Sequence, residues 1–242
     1  MTLQDIRKTL IERSDIHPEW SDILVDALKT VDFEYLSQLV DQPDWLPGID
    51  SLFNAFRRDR RGVRYLLLGE SPYPRAASAN GIAFYDAAVK ELWSDLGLSK
   101  SVNRATSLRN IIKTALLAEG YLEVDNEGKI SQASIAAIDK AAMVQTMDDL
   151  FANLQKAGFL MLNATPVLHP ERKPAQEAVY WQGFLERLLG RLASMTDHRI
   201  TLVLWGKISR AFESTNLRSS YDMLVSEHPY NISFINNPIM QS

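Results

Sequence analysis

The chain contains no cysteine, which excludes disulfides and thiolate metal sites and suits a cytoplasmic protein. No stretch of about 18 apolar residues occurs, and no signal-like pattern runs from Met1 to Asp15, so neither a membrane span nor export is expected. Histidine is sparse, and His17, His169, His198 and His228 lack metal-ligand spacing, so no zinc site is expected. Internal repeats, low-complexity tracts and flexible linkers are absent as well. Positive charge is in deficit: the net charge of −4 argues against non-specific coating of nucleic acid, whose affinity comes mainly from phosphate attraction.

What is present is enough apolar material for one sizeable core, 46% of 242 residues, and nothing forces a division. A single domain spanning 1–242 is expected. Charge is uneven along it. Arg57, Arg58, Arg60, Arg61 and Arg64 cluster just before the first apolar run, whereas Asp5, Glu12, Asp15, Glu19, Asp22, Asp26, Asp32 and Glu34 make the start acidic. The arginines suit either a solvated helix end that offsets its own dipole or a phosphate-facing surface.

Four short apolar runs stand out: Tyr65-Leu66-Leu67-Leu68, Phe159-Leu160-Met161-Leu162, Thr201-Leu202-Val203-Leu204 and Met223-Leu224-Val225. Separated by long helical stretches, they read as strands of a parallel sheet buried on both faces. The expected class is therefore α/β, three-layered, with a central, mainly parallel four-stranded sheet flanked by helices. Such a sheet gathers its strand C-termini on one edge, where ligands bind. Glu70, Ser71, Tyr73, Asn163 and His228 all follow a run directly, so they are expected to share that edge.

Apolar residues recur at helical spacing from Thr2 to Arg13 and from Trp20 to Leu28, with a break at His17-Pro18 because proline disfavours helix in the residue before it. A loop is expected over Gln42-Pro43-Asp44-Trp45-Leu46-Pro47-Gly48, then a helix from Ser51 to Arg58. Helical spacing continues from Ser107 to Leu117 and from Ala133 to Asp148. Between them Asp125-Asn126-Glu127-Gly128 reads as a turn, with Tyr121 to Val124 and Lys129 to Ser131 as arms of a small hairpin.

Gly69-Glu70-Ser71-Pro72-Tyr73 after a strand is a tight turn that can expose backbone N–H groups. Taken alone it is equally an ordinary Gly/Pro turn, just as Phe84 suits a core position on a strand-like stretch and Asn163 suits a helix cap. The turn has company: Phe53-Asn54-Ala55-Phe56-Arg57 before it, then Asn80-Gly81-Ile82-Ala83-Phe84, Ser107-Leu108-Arg109-Asn110-Ile111, Leu160-Met161-Leu162-Asn163, Leu204-Trp205-Gly206 and His228-Pro229. In this order and spacing the set resembles the family 1 uracil-DNA glycosylases, roughly from Ser51 to Ile232. A segment around 120–146 departs from that pattern and is expected to be an insertion, and the chain ends soon after His228-Pro229, where that family continues into another helix.

The resemblance implies a DNA-repair hydrolase that flips a base out of DNA and excises it without a cofactor or metal. Its partner would be uracil-containing or otherwise damaged DNA, with no membrane role, action as a monomer, and any protein partner left open. By resemblance Asn163 reads the uracil edge, Phe84 stacks on its face and Tyr73 fills the space a thymine methyl would need. His228 stabilises charge on the departing base. Ile232 stands where an apolar side chain enters the duplex, Ser107 lies near the DNA backbone, and Lys207 contacts phosphate. The first motif of that family reads Gly-Gln-Asp-Pro-Tyr-His, with a catalytic Asp. Here the Asp position is Ser71, the Gln position Glu70 and the His position Pro74, and Tyr230 replaces the Ser after His-Pro. A hydroxyl cannot replace a carboxylate as charge stabiliser or base. The expectation is a divergent, slow glycosylase in which Glu70 assists, with Ser71 beside it. Its rival is a non-catalytic relative that binds DNA, a flipped base or a protein.

Overall fold

In the computed structural model, which describes residues 2–125, 130–212 and 216–241, the four apolar runs form one sheet. Helices α1 (Leu3–Glu12), α2 (Ser21–Leu28) and α3 (Phe33–Asp41) precede β1 (Tyr65–Gly69). A short hairpin of β2 (Trp93–Ser94) and β3 (Gly97–Leu98) leads into α4 (Lys100–Arg104) and α5 (Thr106–Ala118). There follow α6 (Gln132–Ala136), α7 (Met147–Lys156), β4 (Phe159–Asn163), α8 (Pro174–Met195), β5 (Thr201–Trp205), α9 (Ile208–Phe212) and β6 (Asp222–Ser226). The strand order is β4-β1-β5-β6, and every pairing is parallel.

Side chains alternate across a strand, so each run serves two cores. Leu66, Leu68, Leu160, Leu162, Leu202 and Leu204 meet α1, α2, α3 and α8 on one face. Leu67, Met161 and Val203 meet α5, α6 and α7 on the other. The result is the expected three-layer arrangement. Helix α8 supplies Trp181, Phe184, Leu185, Leu188, Leu189 and Leu192 to the first core, the three-and-four spacing of one helical face. No helix among the described residues is long and apolar enough to cross a membrane.

The chain after β4 is tied down by the N-terminal layer. Leu46 and Leu168 exchange backbone hydrogen bonds, both of 2.9 Å. Glu177, fully buried, accepts from the Tyr35 hydroxyl at 2.5 Å and from Arg172 at 3.1 Å. The Trp181 indole donates to the same Tyr35 oxygen at 2.7 Å. Burial, then the bond to Glu177, pushes the Tyr35 pKa far above its ordinary value, so the phenol remains a donor.

Several local expectations are corrected. Instead of a helix from Ser51 to Arg58 there are two 3-10 turns, Ile49–Ser51 and Asn54–Phe56. Phe53 and Phe56, three residues apart, still both enter the core. The helical spacing from Ala133 to Asp148 yields helix only at α6 and again from the start of α7. Between them, Gln145 O accepts from Leu92 N and Met147 N donates to Lys90 O, so pairing with a distant segment overrides local propensity. Tyr121 to Val124 form no strand, and positions 126–128 of the expected turn, with position 129 of the expected second arm, lie outside the described residues. Phe84 is on a turn rather than a strand, with φ of +62°.

Candidate active site

The parallel pairing of β1 and β4 places Gly69 beside Asn163, and it persists past the strands. Ala164 N donates to Gly69 O at 2.8 Å and Thr165 N to Glu70 O at 3.0 Å. A side chain on Gly69 would not fit: its Cβ would lie 2.9 Å from Asn163 Oδ1 and 3.6 Å from Phe84 Cε2. The bare backbone of Gly69 therefore lets the amide and the ring converge. The Asn163 amide makes no hydrogen bond among the described residues, leaving both its donors and its acceptor for a ligand.

Phe84 reaches this place through a strained turn. A left-handed conformation is uncommon for an aromatic residue and is held only where the surroundings dictate it. Here Asn54 Nδ2 donates to Asn80 O at 2.8 Å, the Asn80 side chain accepts from Ile82 N at 3.0 Å, and Ala83 N donates to Met161 O at 3.3 Å. The ring then packs edge-on against Trp205, centroids 5.0 Å apart, and lies 6.0 Å from the His228 ring.

Ser71, Pro72, Tyr73, Asn80, Phe84 and Asn163 line one pocket. It is narrow, with a cavity volume of about 10 Å³, room for about one water molecule. Tyr73 stands with its hydroxyl 3.5 Å from Phe84 O, a marginal contact. Burial first and the charge of Asp86 second push its pKa up to about 12, which keeps the phenol protonated. The Ser71 hydroxyl makes no hydrogen bond among the described residues.

His228 follows β6 on the far side of Phe84. Its Nδ1 accepts from Tyr230 N at 3.1 Å, which assigns the proton of the neutral ring to Nε2. Burial lowers its pKa, while the Glu70 carboxylate pulls the other way. Glu70 is thus close enough for its charge to act on the imidazole, yet it is exposed and does not line the pocket.

The remaining expected residues lie outside the pocket lining. Ser107 is half-buried in the first turn of α5, whose N-cap, Ala105, offers no side-chain cap. Lys207 is exposed directly after the Gly206 turn. Ile232 is 70% exposed. Two residues without a predicted role are central. Buried Asn110 on α5 donates through Nδ2 to Pro229 O at 2.7 Å and Asn231 O at 3.3 Å, fixing the loop that carries His228. Trp205 backs Phe84 and contacts Phe234, and its buried indole N–H has no hydrogen-bond partner among the described residues. Among the described residues no group of three or more His, Cys, Asp or Glu could hold a metal ion.

A model of the Uracil DNA glycosylase superfamily matches residues 58–238. The chain belongs to the uracil-DNA glycosylase superfamily. A solved structure, the wild-type UNG of Nitratifractor salsuginis, is 35% identical, with a TM-score of 0.90 over 100% of this chain and 94% of that one. A uracil-DNA glycosylase of Corynebacterium glutamicum is 24% identical over 92% of this chain and 83% of its own. One of Francisella tularensis subsp. novicida is 23% identical over 88% and 84%. Within the superfamily match fall Glu70, Ser71, Tyr73, Phe84, Ser107, Asn163, Lys207, His228 and Ile232.

Proposed function

We propose that this protein is a DNA glycosylase that excises uracil, or another deaminated base, from DNA, slowly and without a cofactor. The observation that carries the reading is the convergence of an unpartnered Asn163 amide and the Phe84 ring in one pocket, with the His228 ring 6.0 Å from Phe84. A flipped base would place its polar edge on the amide and its face on Phe84. Tyr73 narrows the pocket against a methyl group at C5.

In the reaction the bond between C1′ and the base nitrogen breaks and its electron pair leaves with the base. The neutral His228 donates from Nε2 to the oxygen on which that charge collects. Water adds to C1′ and releases a proton. We assign that proton to Glu70, the carboxylate whose charge acts on His228, whereas the Ser71 hydroxyl can orient the water but carries no charge. A carboxylate outside the pocket lining supports slow turnover.

The neutral residue at Ser71 also favours a second reading, a relative that binds a base without hydrolysing it. Uracil release from a uracil-containing single-stranded oligonucleotide, at high protein concentration, separates the two. Release that Asn163→Ala and Glu70→Gln abolish supports the slow enzyme. Unaltered release by Glu70→Gln removes Glu70 from the mechanism. Release only after Ser71→Asp supports the binding protein, and release by none of these overturns uracil excision.

A further inference from the structure

The loop after His228 projects two large apolar side chains into solvent. Tyr230 is 68% exposed and Ile232 is 70% exposed. Their backbone is fixed: Tyr230 N is bound to His228 Nδ1, Asn231 N donates to His228 O at 2.9 Å, and Asn110 holds the carbonyls of Pro229 and Asn231. Beyond them Phe234 and Ile235 are buried, at 1% and 5% exposure. A loop anchored on both sides gains nothing for its own fold by displaying a tyrosine. Among the described residues the ring meets no other aromatic ring and its hydroxyl makes no hydrogen bond.

We infer that Tyr230 is a base-stacking residue, which receives on its ring face an unpaired nucleobase next to the nucleotide held in the pocket. The inference rests on the reading of this edge as a DNA site. The chemistry singles out a base as occupant. Nucleobases are the flat, apolar-faced groups that flank an extruded nucleotide, and they stack on aromatic side chains with little regard to sequence. The position follows from the chain itself, since Tyr230 is two residues from His228 and bonded to its ring. Extruding the nucleotide uncovers one face of each neighbouring base, and Tyr230 offers a ring to that face, while Ile232, aliphatic and equally exposed, provides bulk without a ring face.

The test is fluorescence anisotropy with labelled single-stranded oligonucleotides carrying either thymine or a 2′-fluoroarabino-uridine that resists hydrolysis, with 2-aminopurine placed beside that position. Tyr230→Ala is expected to weaken binding by about tenfold or more, given the usual strength of base–aromatic stacking, and to abolish quenching of the 2-aminopurine. Tyr230→Phe should restore both, and Leu96→Ala, a surface change on the β2–β3 turn at 80% exposure, should leave both alone. Wild-type binding and quenching in Tyr230→Ala, with uracil still preferred over thymine, overturns the stacking role alone. Equal affinity for uracil and thymine, with Tyr230 still needed, overturns base reading but not stacking. Absence of binding by the unmodified protein overturns both.

Discussion

His228 rests against Gly206. A Cβ added to Gly206 would lie 2.8 Å from the Cβ of His228, and Gly206 holds φ at +73°. Alanine is therefore opposed by contact and by backbone at once, the latter costing roughly 1–2 kcal/mol. Gly206→Ala should shift the imidazole and reduce single-turnover uracil release on the order of 100-fold, the scale seen when a reacting group is misplaced by an ångström, with a drop in melting temperature of several degrees. An unchanged rate would show that His228 tolerates displacement.

The pH response of His228 has a definite sign. Burial lowers its pKa below the ordinary 6.5 and Glu70 opposes this. The ring is therefore neutral at pH 7, and protonation of Nδ1 would break the bond from Tyr230 N. Release should be level through neutral pH and decline only below 6.5. Stability carries the same sign: the unfolded chain takes up this proton at the ordinary value and the folded chain only at lower pH. Acidification thus erodes stability until the folded pKa is passed. Glu70→Gln should move the His228 titration, followed by NMR of the ring, to lower pH, and movement to higher pH would refute the coupling.

Asn110 clamps the loop of His228, Tyr230 and Ile232 from a buried position on α5. Asn110→Ala should destabilise the fold by about 1–3 kcal/mol, the scale for leaving buried groups unpaired. It should also weaken single-strand binding in material that urea titration shows to be folded. Loss of stability with full binding would confine Asn110 to the core.

Glu177 is fully buried, with Tyr35 and Arg172 as partners and the Arg172 side chain 26% exposed. Removing one member of such a set leaves a poorly solvated charge, and because Arg172 can reach some water the expected cost of Glu177→Ala is about 2–4 kcal/mol, below the upper range for buried pairs. Equilibrium unfolding in urea would measure it. A change under about 0.5 kcal/mol, typical of surface substitutions, would mean the network relaxes freely.

The strands were legible because a parallel strand with two covered faces must be apolar at nearly every position, as Leu66-Leu67-Leu68 is. The positions of Asn163 and His228 at the C-terminal edge of the sheet were legible because each comes just after such a run, whereas the roles expected of them came from the resemblance. Helix α8 carries an equally clear pattern at Trp181, Phe184, Leu185 and Leu188, yet the sequence reading names no helix there. Other features were hidden for physical reasons. Asn110 meets Pro229 119 positions away, and periodicity holds no trace of such a bond. The left-handed turn at Phe84 depends on Asn54 and Asn80, each unremarkable alone. Residues 133–148 follow helical spacing, but their pairing with Lys90 and Leu92 is tertiary.

Asn163 and His228 stand at opposite margins of the sheet, one ending β4 and the other following β6, with β1 and β5 between them. Strands sit about 4.8 Å apart, so the two margins are set some 14 Å from each other by three strand spacings, with Phe84 lying across the ends of the middle pair. The sheet thus works as a caliper whose jaws carry the amide and the imidazole. A small change of twist beneath Leu67 or Val203 would therefore alter the separation of the amide and the imidazole without touching either.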